Sequence, residues 1–165
     1  MTFSKQNGYE VGTSLVSDET EGIADLVGHE SLMLPTDVVV QTESGEHITK
    51  AADKVTTTER ILDIGPDSVE AVMAVVENTK SVLWNGPMGY YEGGFNESTE
   101  KIAQRVADTD TQSIVGGGDT IAAIEKLGLE DKFTFLSTGG GAMLDFLADG
   151  NLPGLAALQN SVHGA

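Results

Sequence analysis

The sequence predicts an α/β fold: a parallel sheet with helices packed on both of its faces, in three layers. Three observations carry that prediction. Between residues 81 and 147 a short apolar strand, a glycine-rich loop and a helix follow one another three times. Strand and helix alternate there, which argues for a parallel sheet with helices packed on its faces. Crossovers of this kind are right-handed, so the carboxyl ends of the strands, and the glycine loops leaving them, share one edge of the sheet. Open α/β sheets bind ligands at that edge.

In chain order, Ser17 to Val27 is expected as a helix, with Asp18, Glu19 and Glu21 near its start, where the helix dipole favours negative charge. The β-branched run Asp37 to Thr42 reads as a strand. Residues 43–60 are polar with little periodicity, and Thr56-Thr57-Thr58 fits a strand or a loop. Gly65-Pro66 opens a helix, because proline is favoured at a first helical position where its missing N–H would be unpaired anyway. Val69, Val72, Met73 and Val76 give that helix an apolar face. The regular part then begins. Ser81 to Trp84 is a strand, followed by the loop 85–94 and a helix from Glu97 to Ala107. Gln112 to Val115 is the next strand, then Gly116-Gly117-Gly118-Asp119 and a helix from Thr120 to Leu127. Phe133 to Leu136 is the third, then Ser137-Thr138-Gly139-Gly140-Gly141 and a helix from Ala142 through Leu147, ended by Asp149-Gly150-Asn151. The tail from Pro153 to Ala165 is weakly patterned.

Composition removes several classes of function. A length of 165 residues with 39% hydrophobic residues suggests one domain with a real core. Nine Lys and Arg against 26 Asp and Glu leave a formal charge of −17, which argues against nucleic acid and against an anionic membrane surface as partners. Without cysteine there is no disulfide, thiolate metal site or Cys nucleophile. No apolar run reaches the roughly 18 residues of a membrane span. The first ten residues hold no apolar segment of the secretory kind, so a cytoplasmic protein is expected.

Glycine lets the main chain approach a ligand, and a glycine loop before a helix leaves first-turn N–H groups free to face an anion. Gly139, Gly140 and Gly141 are therefore a candidate phosphate or oxyanion cradle, or simply a tight strand-to-helix turn. Asp119 fits two roles, an N-cap or a ligand to magnesium bridging phosphate oxygens, with Thr120 assisting. Asn85 can donate and accept, Glu92 can accept from ribose hydroxyls, and Trp84 reads as core. The G-x-x-x-x-G-K-[ST] and G-x-G-x-x-G motifs are absent. His29, His47 and His163 show no metal spacing, and no Ser/His/Asp set is apparent. The residues alone lead to an α/β nucleotide- or phosphate-binding domain.

Three stretches together resemble phosphoglycerate kinase: Trp84-Asn85-Gly86-Pro87-Met88-Gly89 with Glu92, Gly116-Gly117-Gly118-Asp119-Thr120, and Ser137-Thr138-Gly139-Gly140-Gly141-Ala142. Flanking segments match in order: Gly8 to Gly12, Leu34 to Asp37, Leu62 to Pro66, and Leu152 to Gly154. The resemblance implies a Rossmann-like sheet in an incomplete domain. Residues 1–165 would be part of the C-terminal nucleotide-binding domain, with the N-terminal substrate domain absent. It implies reversible phosphoryl transfer between 1,3-bisphosphoglycerate and MgADP, giving 3-phosphoglycerate and MgATP, by an intact enzyme that is monomeric. ATP or ADP and Mg2+ would bind this part, and the phosphoglycerate only the missing domain. Leu62, Gly89 and Tyr90 would line the adenine side, Asn85 and Pro87 would contact the nucleotide near its ribose and phosphates, and Glu92 would bind ribose hydroxyls. Gly117, Gly118, Asp119 and Thr120 would hold the phosphates, with Asp119 on the metal. Thr138, Gly139, Gly140 and Gly141 would stabilise the moving phosphoryl group. Ile61 departs from a usual Gly, Phe135 from a usual His, and Met143 and Asp145 from a small residue and a Glu. Because the basic residues of the substrate side are missing, this chain alone is expected to be inactive. A non-catalytic nucleotide-binding or interaction module of the same fold is the alternative.

The acid excess is spread along the chain, with no run of five like charges and only seven lysines. It fits an ordinary acidic surface or adaptation to high salt, where screening relieves self-repulsion. Salt adaptation predicts an unfolding temperature that climbs steeply with KCl; equal stability at low salt excludes it.

Overall fold

The computed structural model describes residues 1–18 and 20–162. Glu19 and His163 therefore lie outside the described residues, as do the last two positions of the tail. The chain divides into two compact units, Met1–Val75 with Met88–Ile102, and Val76–Pro87 with the residues from Ala103 onward.

The first unit opens on a short helix, α1 (Thr2–Gln6), that the sequence pattern did not announce. The helix expected over Ser17 to Val27 is reduced to one turn, α2 (Ile23–Leu26). Gly22, at φ +76°, is the residue before it, a left-handed conformation through which a right-handed helix cannot extend. Upstream, the Ser17 N–H donates to the Thr2 hydroxyl at 2.9 Å. Three strands follow: β1 (Asp37–Gln41), β2 (His47–Ala51) and β3 (Arg60–Ile64). They pair antiparallel in the order β2-β1-β3. Val38 and Val40 of the central strand are buried and cluster with Ala52 and Val55, and Tyr9, Ile48 and Ile61 pack against them. Neither β2 nor β3 was expected. In β2 only Ile48 and Lys50 point inward and the rest is exposed, so one apolar residue had to signal the strand. Thr57 and Thr58 form a turn. The Lys50 ammonium reaches Glu59 Oε1 at 2.9 Å, and the Thr56 N–H donates to Glu59 Oε2 at 2.8 Å. The Lys50 bond outweighs the opposing effect of burial and holds Glu59 below the usual carboxylate range.

Helix α3 (Pro66–Glu77) begins at the predicted proline. Its start is capped from another element. Asp37 Oδ1 accepts from the Ser68 N–H at 2.8 Å and the Ser68 hydroxyl at 2.6 Å, and Oδ2 accepts from the Asp67 N–H at 3.1 Å. Burial pushes this carboxyl up, but the hydroxyl and the two amides together bring it below the usual range. Gly65 is required beside it, because a Cβ there would collide with the Asp37 carboxylate.

The second unit holds the parallel sheet, β4 (Ser81–Asn85), β5 (Gln112–Gly116) and β6 (Phe135–Ser137), in that order. Helix α5 (Gly118–Leu127) and helix α6 (Gly140–Asp149) both pack on β5. Helix α4 (Glu97–Ala107) keeps its predicted bounds. The expected strand over Phe133 to Leu136 starts two residues later. Ser113 and Thr134 exchange bonds through their hydroxyls, at 3.1 and 3.2 Å, where a ladder would use main-chain carbonyls. The weakly patterned tail forms α7 (Pro153–Val162), again with proline first. Trp84, Ser113 and Val115 are buried on one face of the sheet, whereas Leu83, Ile114 and Phe135 stand side by side on the other and are exposed.

Ser68→Ala should lower the free energy of urea unfolding by about 1–3 kcal/mol at neutral pH, since it leaves a buried carboxylate short of a donor. Asp37 titrates lower when folded than when unfolded, so its contribution is complete above the ordinary Asp range and is lost as pH falls through the folded value. The gap between wild type and variant therefore narrows in acid. A gap that ignores pH would remove Asp37 from the interaction.

Candidate functional site

In the second unit the strand register aligns Asn85 with Gly116 and Gly116 with Ser137, the last residues of β4, β5 and β6. The three glycine loops thus leave from one edge, as the topology required. They are also drawn together. The Gly86 N–H donates to the Gly116 carbonyl at 3.3 Å. Asn85 Oδ1 sits in the crevice between the loops: a Cβ built on Gly116, Gly117 or Gly140 would lie 3.0, 3.3 or 2.6 Å from it. The Gly140 Cβ would also be 2.5 Å from the Gly117 amide nitrogen. Only glycine allows this approach, and Gly117, at φ +99°, needs it for its backbone as well.

Helices α5 and α6 start at that crevice. Their first-turn N–H groups, at Gly118, Asp119 and Thr120 and at Gly140, Gly141 and Ala142, have no carbonyl one turn back within the helix. Gly118 and Gly141 have open space where a side chain would be. Asp119, Thr138 and Gly139 are exposed. Thr120 is fully buried, and its hydroxyl finds no partner among the described residues. Of the departures from the family pattern, Met143 places its methyl 2.6 Å from a Cβ on Gly116, so it packs over the end of β5. Phe135 and Asp145 are exposed.

Leu62, Gly89, Tyr90 and Glu92 belong to the first unit. The Tyr90 N–H donates to the Leu62 carbonyl at 2.7 Å, while the Leu62 side chain is buried. Gly89 lies against the Asp63 carboxylate and the Phe95 carbonyl, with no room for a Cβ. The Tyr90 ring is partly exposed, with the Arg60 guanidinium 4.9 Å above it and Gly93 against its edge. Glu92 is exposed on the short 3-10 turn that follows. Ile61 packs against the Val38–Val40 cluster.

Sequence reasoning missed the residues that hold these loops. Asp63 is buried and accepts from the Ser98 hydroxyl and from the Ile64 N–H at 2.8 Å, which ties β3 to the start of α4. Burial raises its pKa, and the hydrogen bonds recover only part of that. Thr99, also buried, accepts from the Met88 N–H at 3.0 Å. The signal available was an acid inside an apolar run, Ile61-Leu62-Asp63-Ile64, and a Ser-Thr pair in a helix first turn. Pro87 follows Gly86 and is half-buried.

Glycine loops gathered at the carboxyl edge of a parallel sheet, with two helix starts facing them, define an α/β domain with the arrangement at which open α/β sheets bind ligands. The family model for phosphoglycerate kinase matches residues 1–150. A solved phosphoglycerate kinase from Coxiella burnetii superposes with a TM-score of 0.82 at 37% identity, over 97% of this chain and 44% of that one. One from Pyrococcus horikoshii OT3 gives a TM-score of 0.77 at 31% identity, over 99% of this chain and 44% of that one. The chain belongs to the phosphoglycerate kinase family, and it spans less than half the length of these relatives. No helix of the described residues is long and apolar enough to cross a membrane.

Thr120→Val keeps the side-chain volume and removes the unpaired hydroxyl. Without ligand the variant should gain about 1 kcal/mol or more in urea unfolding. A variant less stable than wild type would show that the hydroxyl is satisfied in solution.

Proposed function

We propose that this chain supplies the nucleotide side of phosphoglycerate kinase, the reversible transfer of a phosphoryl group between 1,3-bisphosphoglycerate and MgADP that gives 3-phosphoglycerate and MgATP. The observation that carries the reading is the crevice at Gly117 and Gly140, where glycine brings the starts of α5 and α6 together around the Asn85 carboxamide oxygen. Phosphoryl transfer asks a protein for positioning and charge stabilisation rather than covalent chemistry, and helix-start amides supply both.

Gly117, Gly118 and Thr120 hold the phosphates, and the buried Thr120 hydroxyl becomes a donor to a phosphate oxygen. Thr138, Gly139, Gly140 and Gly141 receive the charge of the phosphoryl group as it moves from the acyl oxygen to the terminal oxygen of ADP. Asn85 and Pro87 orient the nucleotide between base and phosphates. Leu62, Gly89 and Tyr90 take the adenine, and Glu92 accepts from the ribose hydroxyls. Magnesium fits the donor set: Asp119 offers one exposed carboxylate at a helix start, and Mg2+ is held typically by one or two carboxylates together with substrate phosphates and water. No cluster of three or more metal-ligating side chains exists among the described residues. When bound, the ion neutralises charge on the phosphate oxygens. The phosphoglycerate is held outside these 165 residues, so the chain alone turns over negligibly. The second reading, a non-catalytic module of this fold, draws on the 44% span of the relatives.

Calorimetry should find magnesium-dependent ADP binding that Asp119→Ala weakens by about tenfold, the loss of one charge-assisted contact. Equal affinity in both proteins removes Asp119 from the metal. Substantial turnover by the 165-residue chain in a coupled assay would overturn its inactivity alone.

A further inference from the structure

We infer that Trp84 is a positioning residue for the phosphate-side loops, acting through its indole N–H; this rests on the nucleotide reading above. Trp84 is the chain's only tryptophan and is 5% exposed, which fits the core role its apolar strand suggested. Burial explains the ring but not the nitrogen. Its Nε1–H donates to the Gly86 carbonyl at 2.7 Å, two residues further along the chain.

Gly86 needs such a partner. It sits at φ +91°, and nothing lies within 4 Å of the place where its Cβ would be, so no side-chain packing holds it. Glycine is also the residue with most backbone freedom to lose. Two hydrogen bonds fix it instead: its N–H on the Gly116 carbonyl, and its carbonyl on the Trp84 indole. On one side of this clamped residue is Asn85, whose Oδ1 lies among Gly116, Gly117 and Gly140. On the other is Pro87, whose ring restricts the residue before it. Trp84 thus sets where the Asn85 carboxamide rests against both phosphate-side loops, without touching a ligand itself. A phenylalanine would fill the same core and leave the Gly86 carbonyl without its donor.

The test compares the full 165-residue chain with Trp84→Phe and with Val106→Ala, a truncation of a buried side chain of α4 in the same unit. Amide exchange by NMR without nucleotide is the first readout. Trp84→Phe should speed exchange at the Gly86 N–H about tenfold and leave the β5 amides unchanged. Calorimetric titration with MgADP is the second: Trp84→Phe should bind about tenfold more weakly, while Val106→Ala binds as wild type does at a comparable loss of melting temperature. Wild-type affinity in Trp84→Phe overturns the inference, as does an equal affinity loss in Val106→Ala, which would make the effect one of stability alone. If the wild-type chain binds no MgADP, the nucleotide reading fails for this chain and exchange decides: acceleration confined to Gly86 supports the clamp, and unchanged exchange overturns it.

Discussion

At the carboxyl edge of the parallel sheet the main chain of α6 comes so near the β5–α5 loop that a Cβ on Gly140 would lie 2.5 Å from the Gly117 nitrogen. The rest of the candidate site depends on that contact. Two helices packed on the same strand ordinarily keep their ends apart by the width of their side chains. Here glycine removes that spacing, and the starts of α5 and α6 face one crevice. Each start carries about half a positive charge from its aligned peptide dipoles, and the two fields add where the helices meet. The Asn85 carboxamide oxygen occupies the same crevice, so the end of β4 is bound into the arrangement. None of the three loops can shift alone without opening a contact with the others.

The other unit is held by a different device, a buried carboxylate carried on a strand and spent on a helix start. Asp37 of β1 serves α3 and Asp63 of β3 serves α4. The two titrate in opposite directions for one reason. Asp37 collects a hydroxyl and two amides at 2.6–3.1 Å, which outweigh its burial. Asp63 has the Ser98 hydroxyl and one close amide, and its second contact to Ser98 is stretched to 3.5 Å, so burial prevails and nearby Glu97 adds to the rise. Asp37 therefore favours the fold above the ordinary carboxylate range. Asp63 favours it below that range and loses the advantage as pH rises through its folded value. Both also explain glycines, since Gly65 and Gly89 lie against these carboxylates with no space for a Cβ.

What could be read from the sequence follows from where the signal was periodic. The parallel sheet was legible because Ser81 to Trp84 and Gln112 to Val115 are short apolar runs punctuated by glycine and spaced by amphipathic helices. The antiparallel sheet was only one-third legible. β1 announced itself with Val38-Val39-Val40, but β2 offers Ile48 alone, and the apolar run of β3 is interrupted by a buried acid. At Ser17 to Val27 the pattern overstates the helix: acids near its start favour one, but Gly22 inside the segment takes a left-handed conformation that confines it to Ile23–Leu26. At the candidate site the glycine loops and Asp119 stood out as motifs. The residues that hold them did not, because Trp84 and Asp63 act through contacts that look like ordinary core burial in one dimension.

The charge of −17 and an anionic ligand are compatible only if the field at the crevice is local. Screening helps, since the Debye length is about 8 Å at physiological ionic strength and most of the acids are spread over the surface. Four of the nine cations, Lys50, Lys54, Lys101 and Arg105, are each paired with an acid. At the crevice itself the groups that would attract an anion are uncharged, the amides that open α5 and α6. Asp119 complicates this, because an exposed carboxylate at one of those starts repels a phosphate by itself. A divalent cation reverses the sign, turning the same carboxylate into an attachment point for the phosphates it would otherwise repel. On the proposed reading, these electrostatics would favour the magnesium complex of a nucleotide over the free nucleotide, through Asp119, since the three glycine loops carry no lysine or arginine.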